Sequence, residues 1–128
     1  MKAFRGAVVT SRFAALRERR HTLWLRHLRD QLHALVQVRT MASEPPEAIW
    51  LFGSRARGDW DGWSDTDLIV VAEREATAQW WADVILEAGL AQDVLAMTRE
   101  RWQALPASPS AIWQAVARDA VLLLGASG

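Results

Sequence analysis

The alternation of apolar and polar residues predicts two helices. Apolar residues recur at steps of three and four across residues 11–38, among many arginines, which indicates a long amphipathic helix near the N-terminus. A similar period covers residues 75–88, and Gly89 suits the position just after a helix end. We therefore expect a long N-terminal helix and a second helix in the middle of the chain.

Short apolar runs predict strands between these helices. The expected strands are Ala48–Phe52, Asp67–Ala72, residues 92–97 and residues 121–124, the last of strand or extended type. Thr98 is expected to cap a short helix that reaches Leu105, and Ser108 with Pro109 to begin another. This order of elements predicts an α/β (α+β) fold with a small mixed sheet flanked by helices.

The composition is that of a folded domain. The chain has 128 residues, 51% of them hydrophobic, so we expect a single domain over residues 1–128 with its own core. The absence of cysteine excludes disulfides and thiolate metal sites. Arginines interrupt the first twelve residues, which argues against a signal peptide, and no run approaches the roughly 20 apolar residues of a membrane span. We expect a cytoplasmic protein without a membrane segment.

Charge is divided unevenly along a chain whose net charge is zero. Residues 1–40 carry nine Lys or Arg and two Asp or Glu, whereas residues 41–128 carry six and thirteen. The long basic helix therefore precedes an acidic remainder. Two interpretations stay open: a solvated helix face, or a docking surface for an acidic partner or nucleic acid.

Residues 53–68 combine a glycine turn with a pair of carboxylates. Gly53 and Ser54 follow a predicted strand directly, and glycine lets the backbone approach a ligand closely. Exposed N–H groups and a serine hydroxyl at such a turn can hold phosphate oxygens. Ten residues later, Asp65 and Asp67 stand at the start of the next strand, where both carboxylates are expected to face one side. Either the glycine turn or the carboxylate pair alone is typical of an ordinary turn or loop end. Their occurrence together between two apolar strands favours a functional site.

A third carboxylate completes a candidate metal site. Acidic groups as close as Asp65 and Asp67 repel one another, and a divalent cation relieves the repulsion. Hard oxygen ligands suit Mg²⁺, whose remaining positions go to water and triphosphate oxygens. Asp93 begins the third predicted strand, and if that strand lies beside the second, the three carboxylates would surround two metal positions. The alternative for Asp93 is a carboxylate at a strand edge.

The glycine-serine pair, ten residues and Asp-x-Asp resemble the signature of the DNA polymerase beta-type nucleotidyltransferase superfamily. The fuller string Gly-Ser-Arg-Ala-Arg-Gly, then Ser-Asp-Thr-Asp-Leu, resembles its minimal nucleotidyltransferase (MNT) branch. The resemblance implies a polymerase beta-like nucleotidyltransferase fold, a two-ion Mg²⁺ site and ATP as donor. It implies that the nucleotide-binding residues are Gly53, Ser54 and Arg57, and that the catalytic and metal-binding residues are Asp65, Asp67 and Asp93. In that scheme Asp93 also orients or deprotonates the acceptor hydroxyl.

The acceptor is expected to be a protein, or to be recognised with the help of a partner. Polymerases and aminoglycoside-modifying members of the superfamily carry a second, acceptor-binding domain, whereas the stretch after Asp93 is long enough only to finish the core. In the MNT branch the typical partner is a HEPN-domain toxin, which the antitoxin adenylylates on a tyrosine hydroxyl. The resemblance therefore implies AMP transfer from ATP to such a toxin in a toxin–antitoxin pair.

Two alternatives to this function stay open. One is a small-molecule nucleotidyltransferase that completes its site by dimerisation, and the other is a non-catalytic antitoxin that binds its toxin through the basic helix. Trp60 and Trp63 flank the loop and suit either stacking on a base or a partner interface. Nucleic acid is the less favoured ligand, and homo- and hetero-oligomers both remain open.

Overall fold

The computed structural model describes residues 2–40, 43–58 and 64–125, with side chains from residue 12 onward. Five helices and four strands occur in these ranges. The helices are α1 (Lys2–Arg39), α2 (Ser54–Arg57), α3 (Glu75–Glu87), α4 (Arg99–Ala104) and α5 (Ala111–Asp119). The strands are β1 (Ala48–Phe52), β2 (Asp67–Ala72), β3 (Asp93–Thr98) and β4 (Val121–Gly125). A 3₁₀ turn, Leu105–Ala107, joins α4 to the loop before α5.

The four strands form one mixed sheet in the order β3-β2-β1-β4. β1 runs antiparallel to β2 and to β4, whereas β2 and β3 are parallel. β2 lies inside the sheet and is buried along almost its whole length, as its β-branched residues Ile69, Val70 and Val71 favour. The parallel pair is joined through α3, as parallel strands require a crossover connection.

Helices cover both faces of the sheet. On one face, α1 and α3 bury apolar residues spaced by about one turn, which fill the larger core with the sheet. The most enclosed of these helix residues are Leu28, Leu32, Trp81, Ala82 and Ile85. On the other face, α4, the 3₁₀ turn and α5 pack against β1, β2 and β3, with Trp50 stacked on Trp102 at a ring separation of 4.8 Å.

The expected fold class is confirmed, and the strand predictions are close to the structure. β1 and β2 begin and end where the sequence predicted, β3 is displaced by one residue, and β4 includes Gly125. Thr98 caps α4 as predicted, since its hydroxyl oxygen accepts a hydrogen bond from the Arg101 backbone N–H. Gly89 has the expected positive φ, 73°, after α3.

Two helix boundaries were predicted wrongly. α1 begins at Lys2 rather than at residue 11, although its first residues include Gly6 and the β-branched Val8, Val9 and Thr10, which have modest helix propensity. Ser108 was expected to cap α5, but the cap is Ser110, whose hydroxyl oxygen accepts from the Trp113 backbone N–H. The Ser108 hydroxyl instead accepts from the Ser110 backbone N–H, so it supports the turn before the helix.

Residues 59–63 lie outside the described part of the chain, and with them the predictions for Trp60 and Trp63. Within the described ranges, no helix combines the length and the apolar character that crossing a membrane requires.

Candidate active site

Gly53 forms the turn between β1 and α2. Its backbone has φ 79° and ψ −156°, a conformation that glycine adopts readily and other residues do not. The Gly53 carbonyl accepts hydrogen bonds from the N–H groups of Ala56 and Arg57, at 3.1 and 3.3 Å. Gly58, with φ 75°, ends this single helical turn. The chain therefore reverses sharply at the end of β1, and Ser54, half-buried, begins the turn.

Asp67 and Asp93 are direct neighbours across two parallel strands. Each is the first residue of its strand, β2 or β3, and the two form a register pair. Parallel strands place corresponding residues at the same edge of the sheet and on the same face. Asp67 is half-buried and Asp93 is exposed, so the pair lies where the sheet edge meets solvent. The predicted placement of the third strand beside the second is therefore confirmed.

Electrostatic repulsion is concentrated on Asp67. Partial burial raises the pKa of its carboxyl above the ordinary value, and the negative charges of Asp93 and Asp65 raise the pKa further. A raised pKa means that the ionised form is disfavoured at this position. Asp65 itself is exposed and lies two residues before Asp67. Asp67 therefore interacts with each of the other two predicted carboxylates at this edge of the sheet.

Gln92 holds the starts of β2 and β3 together. Its side-chain oxygen accepts a hydrogen bond from the Thr66 backbone N–H at 2.6 Å. In return the Thr66 carbonyl accepts from the backbone N–H groups of Gln92 and Asp93, at 3.0 and 3.4 Å. Thr66 is buried, so these bonds are shielded from competition with water. They fix the backbone between Asp65 and Asp67 against the backbone that carries Asp93.

Arg55 anchors the other side of the carboxylate segment. It is 8% exposed, and its Nε and Nη2 donate hydrogen bonds to the Ser64 carbonyl at 2.9 and 2.7 Å. Its guanidinium also lies 4.5 Å from the centre of the Trp24 ring of α1, a cation–π contact. Arg55 thus ties α1 and α2 to the residue immediately before Asp65.

The sequence did not single out Arg55. It lies outside the apolar runs, so no hydrophobic pattern marked it as buried, and Arg57 occupies a similar place in the motif. Arg57 itself is exposed at the end of α2. It lines a groove of about 300 Å³ between the Gly53 turn and α5. The other lining residues are Phe52, Gly53, Ile112, Ala115, Val116 and Asp119. Gly53, which lines the groove, also lies against Asp67, since a Cβ placed on Gly53 would stand 2.9 Å from the Asp67 Oδ2.

The residues that could hold a divalent cation are Asp65, Asp67 and Asp93, together with oxygen atoms of a bound ligand. Among the described residues, no three His, Cys, Asp or Glu side chains are gathered closely enough to hold a metal ion as they stand. The repulsion on Asp67 nevertheless favours a cation at this edge, and carboxylate oxygens are ligands that Mg²⁺ accepts. Because Mg²⁺ commonly takes only one or two protein carboxylates together with phosphate oxygens and water, an open set of this kind is compatible with it.

Comparison with known proteins gives one family match. A protein-family model described as a nucleotidyltransferase domain matches residues 35–111, a range that contains Gly53, Asp67 and Asp93. Among solved structures, a candidate nucleotidyltransferase from Sulfolobus solfataricus is 18% identical, with a TM-score of 0.47 over 80% of this chain and 84% of that one. No curated protein matches.

Proposed function

Because the chain belongs to the nucleotidyltransferase domain family, we propose that it transfers AMP from ATP, with Mg²⁺, to a hydroxyl group of a partner protein. The observation that carries this proposal is the register pair of Asp67 and Asp93 beside the Gly53 turn. The Gly53 turn, which we propose binds phosphate, and the acidic pair thus lie at one edge of the sheet.

The residues have separate roles in the proposed reaction. Gly53 and Ser54 hold triphosphate oxygens, and Arg57 lies at the groove where a phosphate charge can be offset. Asp65, Asp67 and Asp93 would hold the cation. When bound, Mg²⁺ supplies positive charge that stabilises the triphosphate and the leaving pyrophosphate.

The chemical step exchanges one P–O bond for another. The acceptor oxygen forms a bond to the α-phosphorus as the bond from that phosphorus to the bridging oxygen breaks, and pyrophosphate leaves. The acceptor hydroxyl loses its proton, and in this proposal Asp93 accepts it, a role that is supported by its greater exposure to solvent than that of Asp67. Partial burial of Asp67 suits it to orient the donor rather than to exchange protons with solvent.

The positions of the elements that follow β3 support a protein acceptor. The described elements after β3 (α4, α5 and β4) all pack on the same sheet, so none of them forms a lobe of its own over the carboxylates. An acceptor presented by another protein fits this open edge. The resemblance to the MNT branch favours a HEPN-domain toxin as that partner and a tyrosine as the acceptor.

The test is transfer of label from α-labelled ATP to a HEPN-type partner protein in the presence of Mg²⁺. We expect label on the partner with the wild-type chain, and none with Asp65→Asn or Asp67→Asn. Glu100→Gln is the matched control, because Glu100 is an exposed carboxylate on α4, away from the site. Replacement of the accepting tyrosine by phenylalanine should abolish labelling. An unlabelled partner under conditions in which the wild-type chain binds ATP would contradict protein adenylylation.

One observation favours a small-molecule acceptor as a second candidate. The groove beside Gly53 has apolar walls from Phe52, Ile112 and Val116 and charged ends at Arg57 and Asp119. A small hydroxyl-bearing compound could occupy it. Pyrophosphate release stimulated by such compounds, without a partner protein, would favour this candidate.

The non-catalytic alternative has its own test. If the Asp65→Asn, Asp67→Asn double variant still neutralises a toxin, binding alone is sufficient for antitoxin function.

A further inference from the structure

α1 carries a second apolar face that its own domain does not cover. We call this face the outer stripe. Its members share high exposure, between 49% and 74%: Phe13, Leu16, Leu23 and Val38. At about 100° per residue they fall within an arc of about 80° around the helix. Leu28 and Leu32, which enter the core, lie outside this arc. The outer stripe is therefore separate from the face that holds α1 on the sheet.

The Val38 end of the outer stripe borders the segment that follows α3. Val38 lines a shallow groove of about 440 Å³ between α1 and this segment, together with Ala88 and Leu90. Phe13 lies about 20° from Val38 around α1, so the stripe follows the side of α1 that faces this groove. α1 and α3 both pack on the same face of the sheet, and we call their solvent-facing sides together the helical layer.

The two helices of this layer have opposite charge. α3 contains Glu75, Asp83 and Glu87 on exposed positions and no Lys or Arg. α1 contains nine Lys or Arg against Glu18 and Asp30. Its exposed residues Arg12, Arg19 and Arg26 project within about 40° of one another, beside the outer stripe.

We propose that a second copy of this chain covers the layer in a two-fold dimer, with the outer stripe of each α1 placed against α3 of the other copy. A two-fold axis uses the same surface on both copies, so the contact between a basic α1 and an acidic α3 occurs twice in one interface. Pairing of α1 with α1 is disfavoured, because it would place two strongly basic helices together. Over residues 12–39 α1 is about 42 Å long, and α3 is about 20 Å long. At a helix diameter of about 10 Å, the two helices offer about 600 Å² per partner, which approaches the roughly 800 Å² of a standard interface.

The first experiment measures the oligomeric state of the full chain by analytical ultracentrifugation, without nucleotide or partner. We expect a dimer whose dissociation constant rises with salt, because salt screens exposed charge pairs. Leu16→Glu with Leu23→Glu should weaken dimerisation at least about tenfold. Ile112→Glu is the matched control and should leave the dimer intact, since Ile112 is 75% exposed but lies on α5 at the opposite face of the sheet. Circular dichroism checks that each variant is folded. A wild-type monomer at all concentrations would overturn the proposal.

The second experiment tests which helices meet. One variant reverses charge on α1 (Arg12→Glu, Arg19→Glu, Arg26→Glu) and another on α3 (Glu75→Lys, Asp83→Lys, Glu87→Lys). Each should be monomeric alone, and a mixture should form a dimer, because both contacts become attractive again. If the α3 variant dimerises as well as the wild type, the α1–α3 arrangement is wrong. Neither result depends on nucleotidyl transfer, so failure here leaves the proposed function intact.

Discussion

Gly53 and Asp67 are so close that a Cβ on Gly53 would stand 2.9 Å from the Oδ2 of Asp67. The glycine therefore meets two requirements at once: it adopts a φ of 79° and it leaves space for a carboxylate. The turn that is proposed to hold phosphate and the carboxylate that is proposed to hold the cation form a single structural unit.

Gly53→Ala should impair both folding and transfer, whereas Gly89→Ala should impair only folding. Gly89 also has a positive φ, 73°, but nothing lies within 4 Å of its added Cβ. Alanine there should cost only the strain of the left-handed conformation, about 1–2 kcal/mol. At Gly53 the same strain is joined by displacement of Asp67. Denaturant unfolding and the kcat of AMP transfer check this pair, and equal kcat values in the two variants would contradict it.

Asp67→Asn should abolish transfer and yet raise the melting temperature of the metal-free protein. The substitution removes a negative charge that is disfavoured first by partial burial and then by repulsion from Asp93 and Asp65. We expect activity to fall at least about 100-fold. Residues that only support a metal ligand cost about 10–100-fold when they are replaced, and a direct ligand should cost no less. Mg²⁺ should raise the melting temperature of the wild type and not of the variant. Thermal melts with Mg²⁺ and with a chelator measure both effects.

The stability of the metal-free protein should depend on pH through Asp67. The pKa of this carboxyl is raised in the folded state, so between its unfolded and folded pKa values the folded chain binds more protons than the unfolded chain. Asp67 therefore destabilises the fold increasingly as pH rises through that window, and constantly above it. The difference in melting temperature between the wild type and Asp67→Asn should shrink on acidification. A difference that stays constant into acid would argue against a raised pKa.

Arg55→Lys should destabilise the fold and weaken the response to Mg²⁺. A lysine cannot reproduce the two hydrogen bonds to the Ser64 carbonyl, and an unsatisfied buried polar group costs about 1–3 kcal/mol. The control is Arg57→Lys on the same helical turn, where the side chain is exposed. That variant should unfold within about 0.5 kcal/mol of the wild type but show a higher KM for ATP. Equal stability of the two variants would contradict a positioning role for Arg55.

We expect the side-chain oxygen of Gln92 to stabilise the fold and the site through the hydrogen bond that it accepts from Thr66. Gln92→Leu leaves the buried Thr66 N–H without its side-chain partner, which should cost about 1–3 kcal/mol and raise the Mg²⁺ concentration needed for half-maximal activity. Gln92→Glu retains an acceptor oxygen, so with saturating Mg²⁺ it should stay closer to the wild type in stability. If the Leu variant is as stable as the Glu variant, the hydrogen bond to Thr66 does not hold the two strands together.

The elements that local sequence predicts well are those with strong local signals. β1 and β2 are short apolar runs bounded by Gly, Pro or Asp, and both were located without error. The cap at Thr98 depends on a contact three residues away, so it too was predictable. The cap of α5 was not, since Ser108 and Ser110 are both suitable residues, and in the structure Ser108 ends the preceding 3₁₀ turn while Ser110 caps the helix.

The sequence by itself determined the chemistry that this protein can present: the Gly53 turn, the spacing to Asp65 and Asp67, and a further carboxylate at the start of a later strand. Only the tertiary structure decided that Asp93 lies in register with Asp67, that Gly53 leaves no room beside it, and that Arg55 is buried against Trp24. The physical reason is the distance along the chain between the residues that interact. Turn and strand preferences arise between neighbours in the chain, whereas strand register and the burial of a charge are set by contacts between segments far apart in sequence.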